Sequence, residues 1–432
     1  MEKGDIIEIK IDDMLDDGRG FGRKDGLAVF VNGGVLGDVV HAEVAKTKKS
    51  VVEARFLSIK EPSPYRIDAD CPFAGECGGC SLQELNYDSQ LELKKNQVAS
   101  KLARLGGIEN PIIEEVIGAE TLKYYRNKAT FAVGPHGEVG FYKNKSHFVI
   151  DIDDCMLQTD AAMVAADALR AFLKETKIRD INQMVVKTAF HTEEVMVVLE
   201  SDKKDIPQID KLVEMIDDAV YSTEKYSLES VAVITGNKCN IIAGKPTILD
   251  KIGDLDFEIS PQSFYQVNPE QMVKLYQRAK DYADLTGKET VLDLYCGVGT
   301  IGIFMADQSE KVIGIESIKP AVLDANRNSV INGIINTRYY AGKAEEVLPE
   351  IEIDKVDVAI VDPPRAGCDE TLLETLIKLS PEKIVYVSCD PGALARDVKY
   401  LGEHGYEFKK CTVVDQFPWT NHVEVACKLV KK

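Results

Sequence analysis

Four apolar runs late in the chain constrain the fold most. TVLDLYCG (290–297), KVIGIES (311–317), VDVAIVDPP (356–364) and KIVYVSC (383–389) are each followed by turn residues and a helical stretch. Strands that are apolar at nearly every position must be covered on both faces. Alternation with helices supplies that cover, so residues 261–432 are expected to form an α/β domain around a parallel sheet. Ligands of such sheets bind outside the carboxyl ends of the strands. Function is sought there.

The first run closes with Gly297 and Gly299 directly before a helix, a turn that lets backbone N–H groups approach a ligand. A glycine pair alone is weak evidence, because many such turns are only tight connections. The second run ends near Glu316, where an acid can accept hydrogen bonds from both ribose hydroxyls of an adenosine. Asp293 precedes the glycines, and no third glycine stands in dinucleotide register. Together these features favour S-adenosylmethionine over a nicotinamide dinucleotide. The third run brings Asp362-Pro363-Pro364-Arg365 to the same edge, and the fourth delivers Cys389. A buried Cys is commonly just a small hydrophobe. A strand end over a helix N-terminus, however, offers the exposure and field a thiolate needs, and Arg396 is close in sequence. Cys389 is therefore read as a nucleophile.

Upstream, IIEIKI, LAVFV, VVHAEVAK and VVEARFLSI lie between glycines within residues 1–60. That spacing predicts a small closed β-barrel of the OB kind, a surface that often binds nucleic acid. EPSPYR (61–66) reads as a linker. A helix over about 87–105 and strand-like runs such as ATFAVG, MVVKTAF and EVMVVLE predict an α+β central domain. The expected division is thus 1–60, 61–260 and 261–432.

The net charge of −19 argues mildly against nucleic acid. Locally, Lys123, Arg126, Lys128, Lys143 and Lys145 face a single acid, Glu138, and Lys46, Lys48 and Lys49 make a second basic spot. Such runs are usually solvated faces, yet they are compatible with RNA. No long apolar run or signal-peptide core is present, so a cytoplasmic, non-membrane protein is expected. In that reducing compartment ten cysteines argue for metal or catalysis rather than disulfides. CPFAGECGGC places Cys71, Cys77 and Cys80 close together, and Cys155 follows at a distance. Four soft thiolates suit zinc or an iron–sulfur cluster, and three clustered plus one distant is the commoner cluster pattern.

SCDPGALARD, DPPRAG, DLYCGVGTIG, SPQSFYQVN and FPWTNHVE, taken together, resemble the S-adenosylmethionine-dependent RNA uracil-5-methyltransferases, nearest the bacterial 23S rRNA enzymes. GRGFGRKDGLAVFVNGGVLGD resembles their N-terminal TRAM RNA-binding domain, and YYRNKATF and GFYKNKSHFVIDIDDC resemble their central domain. The resemblance implies a Rossmann-like methyltransferase domain with Cys389 as nucleophile and Glu424 as general base. It implies cofactor contacts from Gln266, Tyr295, Glu316 and Asp362, and a 4Fe–4S cluster on Cys71, Cys77, Cys80 and Cys155. Asp390 stands where the family usually has Asn, and Trp419 where a polar residue is common. Trp419, the only Trp, either stacks on a base or fills a local gap.

The chemistry explains the residue types. Carbon-5 of uracil is a poor nucleophile until a thiolate adds to carbon-6 and makes the ring an enolate. A carboxylate then suits removal of the carbon-5 proton before the thiolate leaves. The target base must be unstacked, which favours loops or single strands of RNA. The competing readings are a tRNA uracil-5-methyltransferase, a non-catalytic RNA-binding iron–sulfur protein, and an amino-group methyltransferase using DPPR that would leave Cys389 idle.

Overall fold

The computed structural model describes residues 1–15, 17–351 and 353–432. They divide into two compact units: Met1–Gln97 with Tyr142–His147 and Phe417–Val423, and the remainder of the chain.

In the first unit, β1 (Ile6–Lys10), β2 (Asp13–Met14), β3 (Gly20–Lys24), β4 (Leu27–Asn32), β5 (Val39–Thr47) and β6 (Val51–Glu61) form one sheet in the order β1-β5-β6-β4-β3-β2. Alternate residues point inward, Ile7 and Ile9 from β1 and Val40, Ala42 and Val44 from β5 among them. The sheet curls until the Asp12 N–H, just past β1, donates to Phe21 O of β3 at 2.8 Å. Gly22 allows that approach, since a Cβ there would sit 2.2 Å from Lys10 O. The EPSPYR stretch does not hang free as a linker. Asp38, fully buried, accepts from Val35 N and Ser63 N at 2.8 Å each and from Arg66 Nη2 at 2.7 Å. Leu82, Leu85 and Leu93 add to the same core, Leu93 from α1 (Tyr87–Arg104).

The second unit contains β7 (Ile113–Ile117), β8 (Lys128–Val133), β9 (Val139–Tyr142), β10 (Val149–Asp151), α2 (Asp160–Thr176), β11 (Ile181–Thr188), β12 (Glu194–Ser201), α3 (Ile209–Tyr221), β13 (Ser227–Thr235) and β14 (Lys238–Gly244). A seven-stranded sheet runs β10-β9-β8-β11-β12-β13-β14, with β12 and β13 parallel. This region mixes helices with strands.

The chain continues through β15 (Ile248–Ile252), β16 (Leu255–Ile259), α4 (Pro269–Ala283), β17 (Thr290–Leu294), α5 (Thr300–Met305), β18 (Lys311–Glu316), α6 (Lys319–Ile331), β19 (Thr337–Ala341), α7 (Ala344–Val347), β20 (Val358–Val361), α8 (Glu370–Leu379), β21 (Lys383–Ser388), α9 (Pro391–Glu403), β22 (Tyr406–Val414) and β23 (Glu424–Lys431). Eight strands pair in the order β19-β18-β17-β20-β21-β23-β22-β7, with β23 alone antiparallel to its neighbours. The apolar runs fill the middle of this sheet, and β20 is buried along its whole length. Strand order reverses between β17 and β20, which opens a crevice at their carboxyl ends. Val185, Met196 and Val198 of the seven-stranded sheet share one buried cluster with Tyr276, Val291 and Val312, so the two sheets have a common core. The edge strand β7, sequence IEEVI, carries no strong strand pattern and forms only because β22 offers its edge.

Candidate active site

Cys389 emerges from the carboxyl end of β21, and Glu424 opens β23. Ser388 lies opposite Val425 in the antiparallel register, so the next residue on each strand, Cys389 and Glu424, leaves the sheet at the same end. Behind the thiol, the Asp390 carboxylate caps α9, accepting from Gly392 N at 2.9 Å and Ala393 N at 2.8 Å. Asn caps a helix equally well, so the departure at this position preserves the turn.

Three ionisable neighbours surround the thiol. Burial pushes Cys389 up to about 11, helped by Glu424 and Asp362 and opposed by Arg365. Glu424 is almost wholly buried and its Oε2 has no hydrogen-bond partner. Burial, then the charge of Asp362, holds its carboxyl well above the usual range, with Arg365 acting the other way. Asp362 follows β20, where its N–H donates to Leu294 O at 3.3 Å, and burial raises its carboxyl to about 7. A thiol, two acids that resist ionisation and one guanidinium thus occupy one site, a set suited to adding sulfur to an electrophile and moving protons. Arg396 is not the cation beside the thiol. Its Nε donates to Asp397 at 2.7 Å, and Nη2 to the carbonyls of Ala366 and Cys368. Arg365 takes that place, and the signal for it in the sequence was DPPR at the carboxyl edge.

The cofactor turn adjoins this group. Tyr295, Gly297 and Gly299 all have positive φ, at 61°, 54° and 81°. A Cβ on Gly299 would meet the Tyr339 hydroxyl at 2.9 Å. Glu316 accepts from Gly297 N at 3.2 Å and from Ile318 N at 2.8 Å, which ties the glycine turn to the start of α6. Beside it, a cavity of about 160 Å3 is lined by Leu294, Tyr295, Ile315, Ser317, Lys343 and Asp369 among others. Lys343 also lines it, at a position that matches the family's cofactor site but is Asn in some relatives, and so is not among the expected contacts. Beneath the turn, Asp293 is fully buried; Oδ2 accepts from Gly302 N at 2.9 Å while Oδ1 has no partner. Gln266 is buried in the segment before α4, and its carbonyl accepts from Asn127 Nδ2 at 2.8 Å. That same segment is held by Lys187, whose buried ammonium donates to Ser260 O and Ser263 O at 2.8 Å each.

Other sequence expectations fare unevenly. Among the described residues no group of three or more His, Cys, Asp or Glu side chains could hold a metal ion. Of the expected set, Cys71, Cys77 and Cys80 lie in the first unit and do not form such a group, and Cys155 lies in the second. Within the first unit, burial raises Cys77, while the Gly79 N–H, 3.4 Å from its Sγ, opposes this and nearby Cys71 adds to it. A backbone N–H aimed at sulfur is a donor that suits a thiolate ligand. The basic stretch is not one solvated face either. Lys128 is half-buried in β8, and burial lowers its ammonium. Lys145 lies in the first unit, 3.3 Å from Asn32 Oδ1. Trp419 fills a gap. It is 8% exposed, 6.5 Å from the Tyr87 ring, and its carbonyl accepts from Ser81 N and Leu82 N.

A doubly wound sheet with a cavity and glycine turn at its switch point, and a thiol–carboxyl group alongside, is the frame of a methyl-transferring α/β enzyme. Residues 86–432 match the family model described as tRNA (uracil-5-)-methyltransferase, and residues 1–57 match that of the TRAM domain. An uncharacterised RNA methyltransferase of Halalkalibacterium halodurans is 39% identical, over 100% of this chain and 98% of its own. Another, from Caldanaerobacter subterraneus subsp. tengcongensis, is 41% identical over 98% and 97%. Among solved structures, the tRNA (uracil-54, C5)-methyltransferase of Pyrococcus abyssi, in complex with S-adenosyl-L-homocysteine, is 31% identical. It covers 98% of this chain and 99% of its own, with a TM-score of 0.77. The chain belongs to the tRNA (uracil-5-)-methyltransferase family. It is an S-adenosylmethionine-dependent RNA (uracil-5-)-methyltransferase with an N-terminal TRAM domain. No helix among the described residues is long and apolar enough to cross a membrane.

Proposed function

We propose that the chain methylates carbon-5 of a uridine in 23S rRNA through a covalent bond between Cys389 and carbon-6 of the ring. The observation that carries this reading is the arrival of Cys389 and Glu424 at one sheet end, with Asp362 and Arg365 as their charged neighbours. Burial raises the Asp362 carboxyl to about 7, and in its ionised form it can accept the thiol proton. Arg365 favours the thiolate so formed. As sulfur bonds to carbon-6, the carbon-5–carbon-6 π pair moves toward oxygen-4. S-Adenosylmethionine, when bound, supplies the methyl group that carbon-5 takes. Glu424, in the ionised form that Arg365 favours against burial, then removes the carbon-5 proton; the double bond re-forms, the carbon–sulfur bond breaks, and the returning thiolate takes back its proton from Asp362. Gln266, Tyr295, Glu316 and Asp362 hold the cofactor in this reading, and Tyr295 already lines the cavity.

Cys389→Ala is expected to abolish methyl transfer while cofactor still binds. Glu424→Gln should instead accumulate an RNA–protein adduct that carries the labelled methyl group and resists denaturing electrophoresis. Normal turnover by Glu424→Gln would remove it as the base, and labelled adduct without Cys389 would remove the nucleophile.

A second reading, a tRNA uridine as target, is favoured by the tRNA enzyme of Pyrococcus abyssi, which matches 98% of this chain. Length and domain content therefore do not separate the two RNAs. Mapping 5-methyluridine in rRNA and tRNA of a deletion strain decides between them. Cys71, Cys77, Cys80 and Cys155 are in this reading the thiolate donors to a 4Fe–4S cluster, supported by the spacing of the first three and by the N–H at Cys77. No catalytic step depends on it. Anaerobically purified protein should contain about four irons and lose them in Cys80→Ser; zinc without iron would refute it.

A further inference from the structure

The loop after β20 is held by a network that the reaction chemistry does not use. Pro364 to Gly367 form a tight turn, closed by the Gly367 N–H on Pro364 O at 2.8 Å, with Arg365 at its corner. Asp397, on α9 and fully buried, accepts from the N–H of Cys368 at 2.8 Å and the Tyr386 hydroxyl at 2.6 Å through Oδ2. Through Oδ1 it accepts from Arg396 Nε at 2.7 Å. Arg396 Nη2 in turn reaches Ala366 O at 2.8 Å and Cys368 O at 3.2 Å. The fit is close: at Gly367, φ 79°, a Cβ would lie 2.4 Å from Arg396 Nη2 and 2.7 Å from Asp397 Oδ2. One buried carboxylate, bonded to an amide, a phenol and a guanidinium, thus couples the strand that delivers Cys389, the helix that follows it and the turn that carries Arg365.

We propose that Asp397 is a positioning residue for methyl transfer: with Arg396 it clamps the Pro364–Gly367 turn so that Arg365 is held beside Cys389. The proposal rests on Cys389 as nucleophile only for its consequence in catalysis. Its test reads the thiol directly, so the two fail separately.

The charged and titratable groups that act on Cys389 are Glu424, Asp362 and Arg365. In the full-length protein, the pH profile of Cys389 alkylation by iodoacetamide is followed by mass spectrometry of its own peptide. Arg365→Met should move the midpoint upward by removing the one cation. For a rise of one pH unit, the tenfold loss of thiolate is offset about threefold by greater basicity, so alkylation at pH 8 slows about threefold. Asp397→Asn should move the midpoint in the same direction, and the double variant no further than Arg365→Met alone. Tyr386→Phe removes one donor and keeps the ring, so it should give a smaller shift of the same sign even if Asp397→Asn does not fold. Unmoved profiles in Asp397→Asn and Tyr386→Phe, or shifts of Asp397→Asn and Arg365→Met that add, would overturn the proposal. Methyl transfer surviving in Cys389→Ala would overturn the nucleophile and leave the profile result standing.

Discussion

Replacing Asp293 by Asn removes an acid from beneath the cofactor turn, and pH decides what that does to stability. Burial pushes the Asp293 carboxyl from 3.8 to about 8; the Gly302 N–H opposes this, and Asp362 and Glu316 add to it. In the unfolded chain the acid ionises near 3.8, so between about pH 4 and 8 the folded protein holds a proton that the unfolded chain has released. Native stability therefore falls as pH rises through that window, by roughly 1.4 kcal/mol per unit, and the fall stops above the folded value. Four units amount to at most about 5–6 kcal/mol. In Asp293→Asn the amide oxygen can still accept from Gly302 N and nothing ionises, so this dependence disappears. Urea unfolding of both proteins at pH 5 and pH 8.5 measures it. The variant should gain several kcal/mol relative to wild type between the two pH values. A wild-type-to-variant difference that is the same at both would refute a protonated Asp293.

Asp390→Asn should leave stability within about 0.5 kcal/mol, whereas Asp390→Ala, which removes the cap of α9, should cost about 1 kcal/mol in a thermal melt. Asp38→Ala strands Arg66 and two backbone donors in the first unit and should cost about 3–5 kcal/mol by denaturant unfolding. Trp419→Ala opens a cavity against Tyr87 and should cost about 3–5 kcal/mol. If Trp419 were instead a base-stacking residue, the loss would appear in RNA affinity with the melt unchanged.

The parallel sheet was legible because a strand buried on both faces has to be apolar throughout, and few other folds tolerate four such runs between helices. Its functional edge was legible for the same reason: apart from Asp293 inside β17 and Gly314 inside β18, the glycines, acids and thiol of these runs gather where the strands end. Cys389, Glu316 and Asp362 were placed at those ends from sequence alone. Glu424 rested on resemblance, since nothing local in FPWTNHVE marks an acid for burial.

Several features needed the tertiary structure. IEEVI becomes a strand only because β22 offers an open edge, a long-range pairing that five residues cannot announce. EPSPYR reads as a linker by composition, but a buried carboxylate at Asp38, far off in sequence, ties it to the sheet. Arg396 is nearer Cys389 in sequence than Arg365 is, yet Asp397 and two carbonyls occupy Arg396, and Arg365 on a separate loop takes the place beside the thiol. Sequence reports what each strand and turn prefers by itself. Which charge meets which depends on burial and on hydrogen-bond partners brought from elsewhere in the chain, and only the assembled core sets those.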